Sequence, residues 1–506
     1  MVKVTQIRLN LSNNIWVCLI VLSSSFGAQA ETATHNLKSS FTELFSSNSK
    51  TDDKQVDLNQ LSQFQVKRAH PNALPEIVMK GDSKQAFSRV SIFHTSPIPQ
   101  SFNQTILMAL QRSPLVSESL ANISGENSNI DIARAGYFPQ VSGGFSTEDF
   151  NNKQGYGQVF SIDAKQMVFD FGKVKTDVSL AEAKLNTAKA EALVKIDEVA
   201  YDTAMTLVNI KRYQSLENIA AQQLKGLLSI AEITRLRAAA GISTQADPVQ
   251  AESYVQQAEA TLVSQQNQQK QYEVKLRTLT GAEPSMVTFS IPQNVVMNSK
   301  LFNEPNYNRI PKIIAAQAAV EVARLEKEQT KLSNYPTVSL KGSVSKAMNG
   351  KNPSNNEENG ADSSIRLEMS SNIFQGGAIS ARNKSANYSE LAAKSKVSAA
   401  YLEVEDELTR LREEVTNKDQ LLGILVARKK STVRTRELYQ EQYKLGTRSA
   451  VDLLNAEQAI HSAAQEIENA RYDIYAAIIK YLSVTGDSYA VYQLNNTAIQ
   501  GFTVKP

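Results

Sequence analysis

Ser364-Ile-Arg-Leu-Glu-Met-Ser-Ser-Asn-Ile-Phe-Gln-Gly-Gly377 is the stretch that decides the fold. Ile365, Leu367, Met369 and Ile373 alternate with Ser364, Arg366, Glu368, Ser370 and Asn372, and Ser371 is the one polar residue on the apolar side. A period of two predicts a strand over 364–373 with one apolar and one polar face. Beyond Gly377 the pattern changes to a long helix that runs to a turn at Gly446. A half-apolar strand feeding a very long helix is not the plan of an ordinary compact domain.

Upstream, Val338, Leu340, Gly342 and Val344 alternate with Ser339, Lys341, Ser343 and Ser345, so 338–344 reads as a partner strand across the polar loop Asn349–Asp362. Less regular runs at 140–146 and 158–169 flank a second polar loop, Glu148–Gly157. These correspondences belong to an internal repeat. Pro114 and Pro139 recur 197 residues later as Pro311 and Pro336. Gly172, Gly241 and Thr280-Gly281 recur 205 residues later as Gly377, Gly446 and Thr485-Gly486. The offset grows by 205 − 197 = 8 between Pro336 and Gly377, which places an insertion in the second strand-pair loop. One structural unit is used twice, at 101–290 and 291–486, with 487–506 as a C-terminal tail.

Each unit is expected to open with a helix, the first capped by Ser101 and continuing to about Gly136, where Phe138-Pro139 breaks it. After the strands, Lys173 to Ala240 contains no proline and a single glycine, Gly226. Val178, Ala181, Leu185, Ala188, Ala192, Ile196, Val199, Thr203, Thr206, Ile210 and Tyr213 step by threes and fours along one face. At ~1.5 Å per residue such a helix reaches roughly 100 Å. Gly241 turns the chain, and a second helix returns over about Thr244–Leu279.

The net charge of +3 includes Lys3 and Arg8, which lie in a segment read as a secretory signal over 1–30. Ile15–Leu22 is its apolar run and Ala28-Gln29-Ala30 its cleavage site. Cys18 and Trp16 fall inside it, so a chain cleaved after Ala30 has neither residue type and no disulfide. Residues 31–100 form a polar N-terminal extension. No basic patch interleaved with aromatics points to nucleic acid. No later stretch approaches the ~20 apolar residues of a membrane helix.

The strands therefore carry the membrane question. Two repeats give four strands, and the smallest membrane barrels use about eight. Open edges in lipid leave backbone groups unpaired at several kcal/mol each. Strands that enter a membrane must be pooled by several chains, and two long hairpins likewise make a wall segment rather than a tube. A cyclic oligomer is required.

Tyr443-Lys-Leu-Gly-Thr-Arg-Ser-Ala-Val-Asp-Leu-Leu-Asn-Ala-Glu457 resembles the helix-tip signature of the TolC family of outer-membrane ducts. Arg134-Ala-Gly-Tyr-Phe-Pro-Gln-Val141 resembles its helix-to-strand junction. Val168-Phe-Asp-Phe-Gly172 and Ile373-Phe-Gln-Gly-Gly377 resemble its strand-to-helix junctions. Gly241-Ile-Ser-Thr-Gln-Ala-Asp-Pro248 is the first repeat's tip. The resemblance covers about 101–486. It implies a mainly α fold with a membrane β-barrel portion: a homotrimer whose twelve strands close in outer-membrane lipid of a Gram-negative bacterium, continuous with a helical tunnel in the periplasm. It also implies a periplasmic adaptor and an inner-membrane transporter, of ABC type, as partners. No cofactor or metal is expected.

The resemblance implies that polar contacts close the tip. Tyr443 and Arg448 would link toward Asp247, and Asp452 would project into the pore as an acidic ring that attracts cations. The sequence departs from the family at Asn455, where a second ring aspartate is expected, which implies a ring of half the formal charge. Gly241, Ile242, Leu445, Gly446 and Thr447 would meet the adaptor. The plainer reading of Asp247 is an acidic residue favoured by a helix N-terminus. Arg235 and Arg237 are either adaptor contacts or a solvated face. Phe145, Phe160, Phe169 and Phe374 are either an interfacial belt or junction packing. His35, His70, His94 and His461 are scattered, with His461 alone on a helix, and no metal spacing, phosphate loop or nucleophile motif appears, so no enzyme is expected. The competing classes are a periplasmic coiled-coil adaptor, a structural coiled coil, and a drug or metal efflux duct rather than a type I secretion duct.

Overall fold

The computed structural model describes residues 101–149, 156–282, 291, 300–352 and 354–503. The signal at 1–30, the extension at 31–100 and three of the four histidines lie outside the described residues. The first helices are α1 (Phe102–Arg112) and α2 (Pro114–Arg134). The Ser101 hydroxyl accepts from the Gln104 amide at 3.3 Å, and the Gln104 side chain accepts from the Ser101 amide at 3.0 Å. The single helix expected to about Gly136 is broken at Ser113, which is extended (φ −63°, ψ 122°). Pro114 excludes its predecessor from helical geometry and opens α2. Ile310 and Pro311 do the same at the start of α5 (Pro311–Leu332).

The strands β1 (Gln140–Asp149), β2 (Tyr156–Phe169), β3 (Thr337–Asn349) and β4 (Ala361–Ser370) form one antiparallel sheet in sequence order. Registers such as Phe145↔Phe160, Ile162↔Val344 and Leu340↔Leu367 put the apolar side chains on one face. On that face Ile365 is 82% exposed and Leu367 69%. The other face is polar, with Ser343 and Ser364 bonded at 2.9 Å and Lys341 paired with Glu368 at 2.8 Å. β1 and β4 are open edges within the chain. β4 ends at Ser370, three residues before the expected strand end. Its last partner is Thr337, and the preceding Pro336 has no N–H with which to extend the ladder. The loop after β3 folds around Asn352, whose amide donates to the Gly360 carbonyl at 3.1 Å.

The helical part is two hairpins. α3 (Lys173–Ala239) and α6 (Ala378–Lys444) each span 67 residues, about 100 Å. α4 (Ala246–Thr280) and α7 (Ala450–Thr485) return from them. On α3 the expected face is the buried one: Ala181, Leu185, Ala192, Ile196, Val199, Thr203, Thr206 and Ile210 all lie inside. The apolar ones belong to the main core, with residues of α1, α2, α6 and α7. Arg212 on α3 and Lys418 on α6 both reach Asp473 on α7, each at 2.7 Å, so one carboxylate ties three helices. The chain closes with α8 (Ser488–Val491) and a short pair, β5 (Ala498–Ile499) and β6 (Phe502–Thr503).

Candidate functional site at the helical tip

Both hairpins turn through the same backbone motif. Gly241 (φ 71°) and Gly446 (φ 74°) hold left-handed geometry, open to glycine without strain. Ile242 N–H donates to Arg237 O at 2.9 Å and Gly241 N–H to Ala238 O at 3.0 Å. Thr447 to Gln442 (3.0 Å) and Gly446 to Tyr443 (3.1 Å) repeat the pair on the second hairpin. Ile242 and Leu445 stand exposed at the two turns, and the Thr447 hydroxyl donates to the Gln442 carbonyl.

Behind the turns lies a separate apolar cluster of Leu227 and Ile230 from α3, Ala251, Val255 and Ala258 from α4, Tyr443 from α6, and Ala450, Leu453 and Leu454 from α7. The two hairpins thus pack against each other within one chain. Tyr443 is 4% exposed, and the Arg237 guanidinium sits 4.9 Å from its ring centre. Burial pushes the Tyr443 hydroxyl above its ordinary value. Arg237 thus points inward rather than to an adaptor-facing surface. Arg235 forms a bidentate pair with Glu232 at 2.9 and 2.7 Å on the exposed side.

The link expected from Tyr443 and Arg448 toward Asp247 is not made within the chain. Asp247 accepts the Thr244 hydroxyl of its own turn at 3.1 Å. Arg448 donates to the Gln442 side chain at 3.0 Å, stacks 4.4 Å over the Tyr439 ring and lies 3.7 Å from Asp452. Asp452 forms a capping box with Ser449, whose hydroxyl donates to it at 2.8 Å. That bond first, then the Ser449 amide and the Arg448 charge, hold the Asp452 carboxyl below the usual range. The Asn455 side-chain carbonyl accepts the Tyr254 hydroxyl of α4 at 2.7 Å.

Sequence reasoning missed a buried polar cluster just behind. Glu457 and His461 are both buried, with His461 Nε2 3.1 Å from Glu457 Oε1. Arg436 on α6 lies 3.5 Å from the same carboxylate. His461 is therefore partnered rather than alone. A Cβ placed on Gly226 would collide with the Glu457 carboxylate, so the single glycine of α3 marks where this group seats against the helix. At the other end of the molecule Phe145, Phe160, Phe169 and Phe374 are all exposed, and Phe169 also packs edge-on to Phe171 at 4.7 Å. Among the described residues no helix is long and apolar enough to cross a membrane, and no acidic, histidine or cysteine cluster could hold a metal.

The model of the family described as outer membrane efflux protein matches residues 105–282 and 307–486, one stretch per repeat. The chain belongs to this family. Its relatives include the outer membrane protein TolC of Salmonella enteritidis, 24% identical over 449 residues, 81% of this chain and 87% of that protein. The alkaline protease secretion protein AprF of Pseudomonas aeruginosa is 23% identical over 351 residues, 65% of this chain and 70% of that one. Among solved structures, the outer membrane protein VceC of Vibrio cholerae superposes with a TM-score of 0.66 at 17% identity, over 76% of this chain and 96% of that chain. The CmeC outer membrane channel of Campylobacter jejuni gives 0.63 at 16%, over 76% and 86%. These structures share the fold of strand pairs and helical hairpins. The family resemblance read from the sequence is borne out, and membership places the chain in the outer membrane as part of an efflux or secretion duct. The family is one of channels rather than enzymes, and its channels are homotrimers that work with adaptors and inner-membrane transporters.

Proposed function

We propose that three copies of this chain form a passive exit duct, with a twelve-stranded barrel in outer-membrane lipid and a tunnel of six helical hairpins in the periplasm. The observation that carries this reading is the four-stranded sheet with an apolar face and two open edges, joined to hairpins about 100 Å long. A sheet of four strands cannot close alone, and its open edges call for copies of themselves. Each repeat, 101–290 and 291–486, contributes one strand pair and one hairpin. The duct serves type I secretion or efflux with a periplasmic adaptor and an inner-membrane transporter of ABC type. The exposed turn residues Gly241, Ile242, Leu445, Gly446 and Thr447 are the surface such an adaptor would meet. A periplasmic adaptor or a purely structural coiled coil would have no need of a sheet with an apolar outer face.

In this reading the tip is the gate. Tyr443 and Arg448 hold the second turn, and Asp452 supplies one fixed negative charge per chain, with Asp247 on the facing hairpin. Three copies of Asp452 make a ring that attracts multivalent cations. Single-channel recording of the purified trimer tests this. Asp452→Asn should relieve block by a trivalent cation, and Asn455→Asp, which adds a second carboxylate one helical turn on, should tighten it. Unchanged block in both variants would remove these positions from the pore.

A further inference from the structure

We infer that neighbouring copies meet through a size-swapped form of the chain's own α3–α5 seam, with Tyr388 on α6 seated in the gap at Gly125 on α2 of the next copy. The inference rests on the reading of the chain as one copy in a closed ring, and it names side chains that join the ring. Within the chain, β2 pairs with β3. α3 follows β2, α5 precedes β3, and these two helices pack together. Leu180 and Ala183 on α3 form an apolar cluster with Leu325 and Val322 on α5. Polar contacts flank it: Asp177 accepts from the Gln329 side chain at 2.8 Å, and Lys184 lies 3.9 Å from Glu326.

The internal repeat carries this seam onto two uncovered faces of the chain. A shift of 205 residues takes Asp177, Leu180, Ala183 and Lys184 to Arg382, Ser385, Tyr388 and Ser389 on α6. A shift of 197 takes Val322, Leu325, Glu326 and Gln329 back to Gly125, Ser128, Asn129 and Ile132 on α2. All of these counterparts are exposed. α6 follows β4 and α2 leads into β1, and these strands are the two open edges. Pairing β4 with β1 of the next copy therefore brings the two faces together, as β2 and β3 do inside the chain. At the centre the sizes are exchanged: the small–large pair Ala183 and Val322 becomes the large–small pair Tyr388 and Gly125. Tyr388 is 70% exposed, and a Cβ at Gly125 would meet nothing within 4 Å. Glycine inside a helix weakens it, and here it leaves room for a ring. Serines stand where the leucines were, and Ser389 and Asn129 where the ion pair was. The Tyr388 ring would collide with a valine in the place of Gly125, so the seam between copies cannot be exchanged for the seam within one. That mismatch fixes the alternating order of the repeats around a head-to-tail ring.

The test is covalent trapping in the full-length protein, in a Cys18→Ala background that leaves no native cysteine. Gly125→Cys together with Tyr388→Cys, treated with a short bis-maleimide in the membrane, should give dimers and trimers that survive heating in SDS. Either substitution alone should give monomers. Heat dissociation of the unlinked protein reads the sizes. Tyr388→Ala should lower the dissociation temperature by emptying the gap, and Gly125→Val should lower it by filling the gap against the ring. The double variant Tyr388→Ala with Gly125→Val recreates the pair Ala183 and Val322 and should recover most of the loss. Native mass separates the two ways of failing. Monomers alone after crosslinking, or a double variant whose loss is the sum of the two single losses, in a particle that is still a trimer, would overturn this seam and leave the duct standing. An unsubstituted protein that is not a trimer would remove the ring itself, and the seam with it.

Discussion

Asp197 is the most constrained titratable residue away from the tip. It is fully buried on α3 and accepts the hydroxyls of Ser483, at 2.6 Å, and Ser488. Burial pushes its carboxyl from about 3.8 up to about 7, against the pull of the two serines and Lys480. A folded-state value raised above the unfolded one means that the native state holds the proton more tightly. The associated stability is fully present below about pH 4 and is lost as pH rises to about 7. The heat-dissociation midpoint should fall across that window, and Asp197→Asn should flatten the fall; a midpoint indifferent to both would contradict the placement. Gly226 makes a second prediction at this scale. Gly226→Ala should destabilise by about 1–3 kcal/mol through the clash with Glu457, and Glu457→Ala should recover much of that loss in thermal unfolding of the double variant.

At the scale of elements, the sequence was most readable where one periodicity ran unbroken. The strand faces of β3 and β4 and the buried face of α3 followed from alternation and three–four stepping alone, because each element meets one uniform environment. The break at Ser113 was missed although Pro114 was in plain view, since apolar residues continue on both sides and hide a change of axis. Strand ends were set by the partner rather than by the strand itself, as Pro336 shows for Ser370. The tip signature was legible, but its partners were not. Tyr254, Arg237 and His461 carry no local pattern, and only packing of four helices brings them together. The lone glycine of α3 was the one signal that could have pointed to Glu457. The apolar strand face gives a prediction of its own. Leu367→Arg should cost roughly 2–4 kcal/mol if this face meets lipid near mid-depth and should deplete the protein from the outer-membrane fraction. Arg366→Leu, on the opposite face, should be recovered there at the normal level.

At the scale of the molecule, the doubling of the sequence explains both the shape and its asymmetry. Two repeats supply a sheet that cannot close and a wall that cannot enclose a space, so the chain is one part of a larger object. The main core and the tip cluster are separate apolar units along the hairpins. The turns repeat the same backbone motif, whereas Tyr443 and Arg448 face Ala238 and Ser243 at the corresponding positions. The repeat builds two matching hairpins, and their tips differ in sequence at these positions. The most direct test of the pooled barrel is the native mass of the detergent-extracted, unheated protein, read together with its conductance in planar bilayers. Three chains per particle and an ion-conducting pore are the expected result. A monomer, a particle of any other copy number, or a trimer that conducts nothing would contradict it.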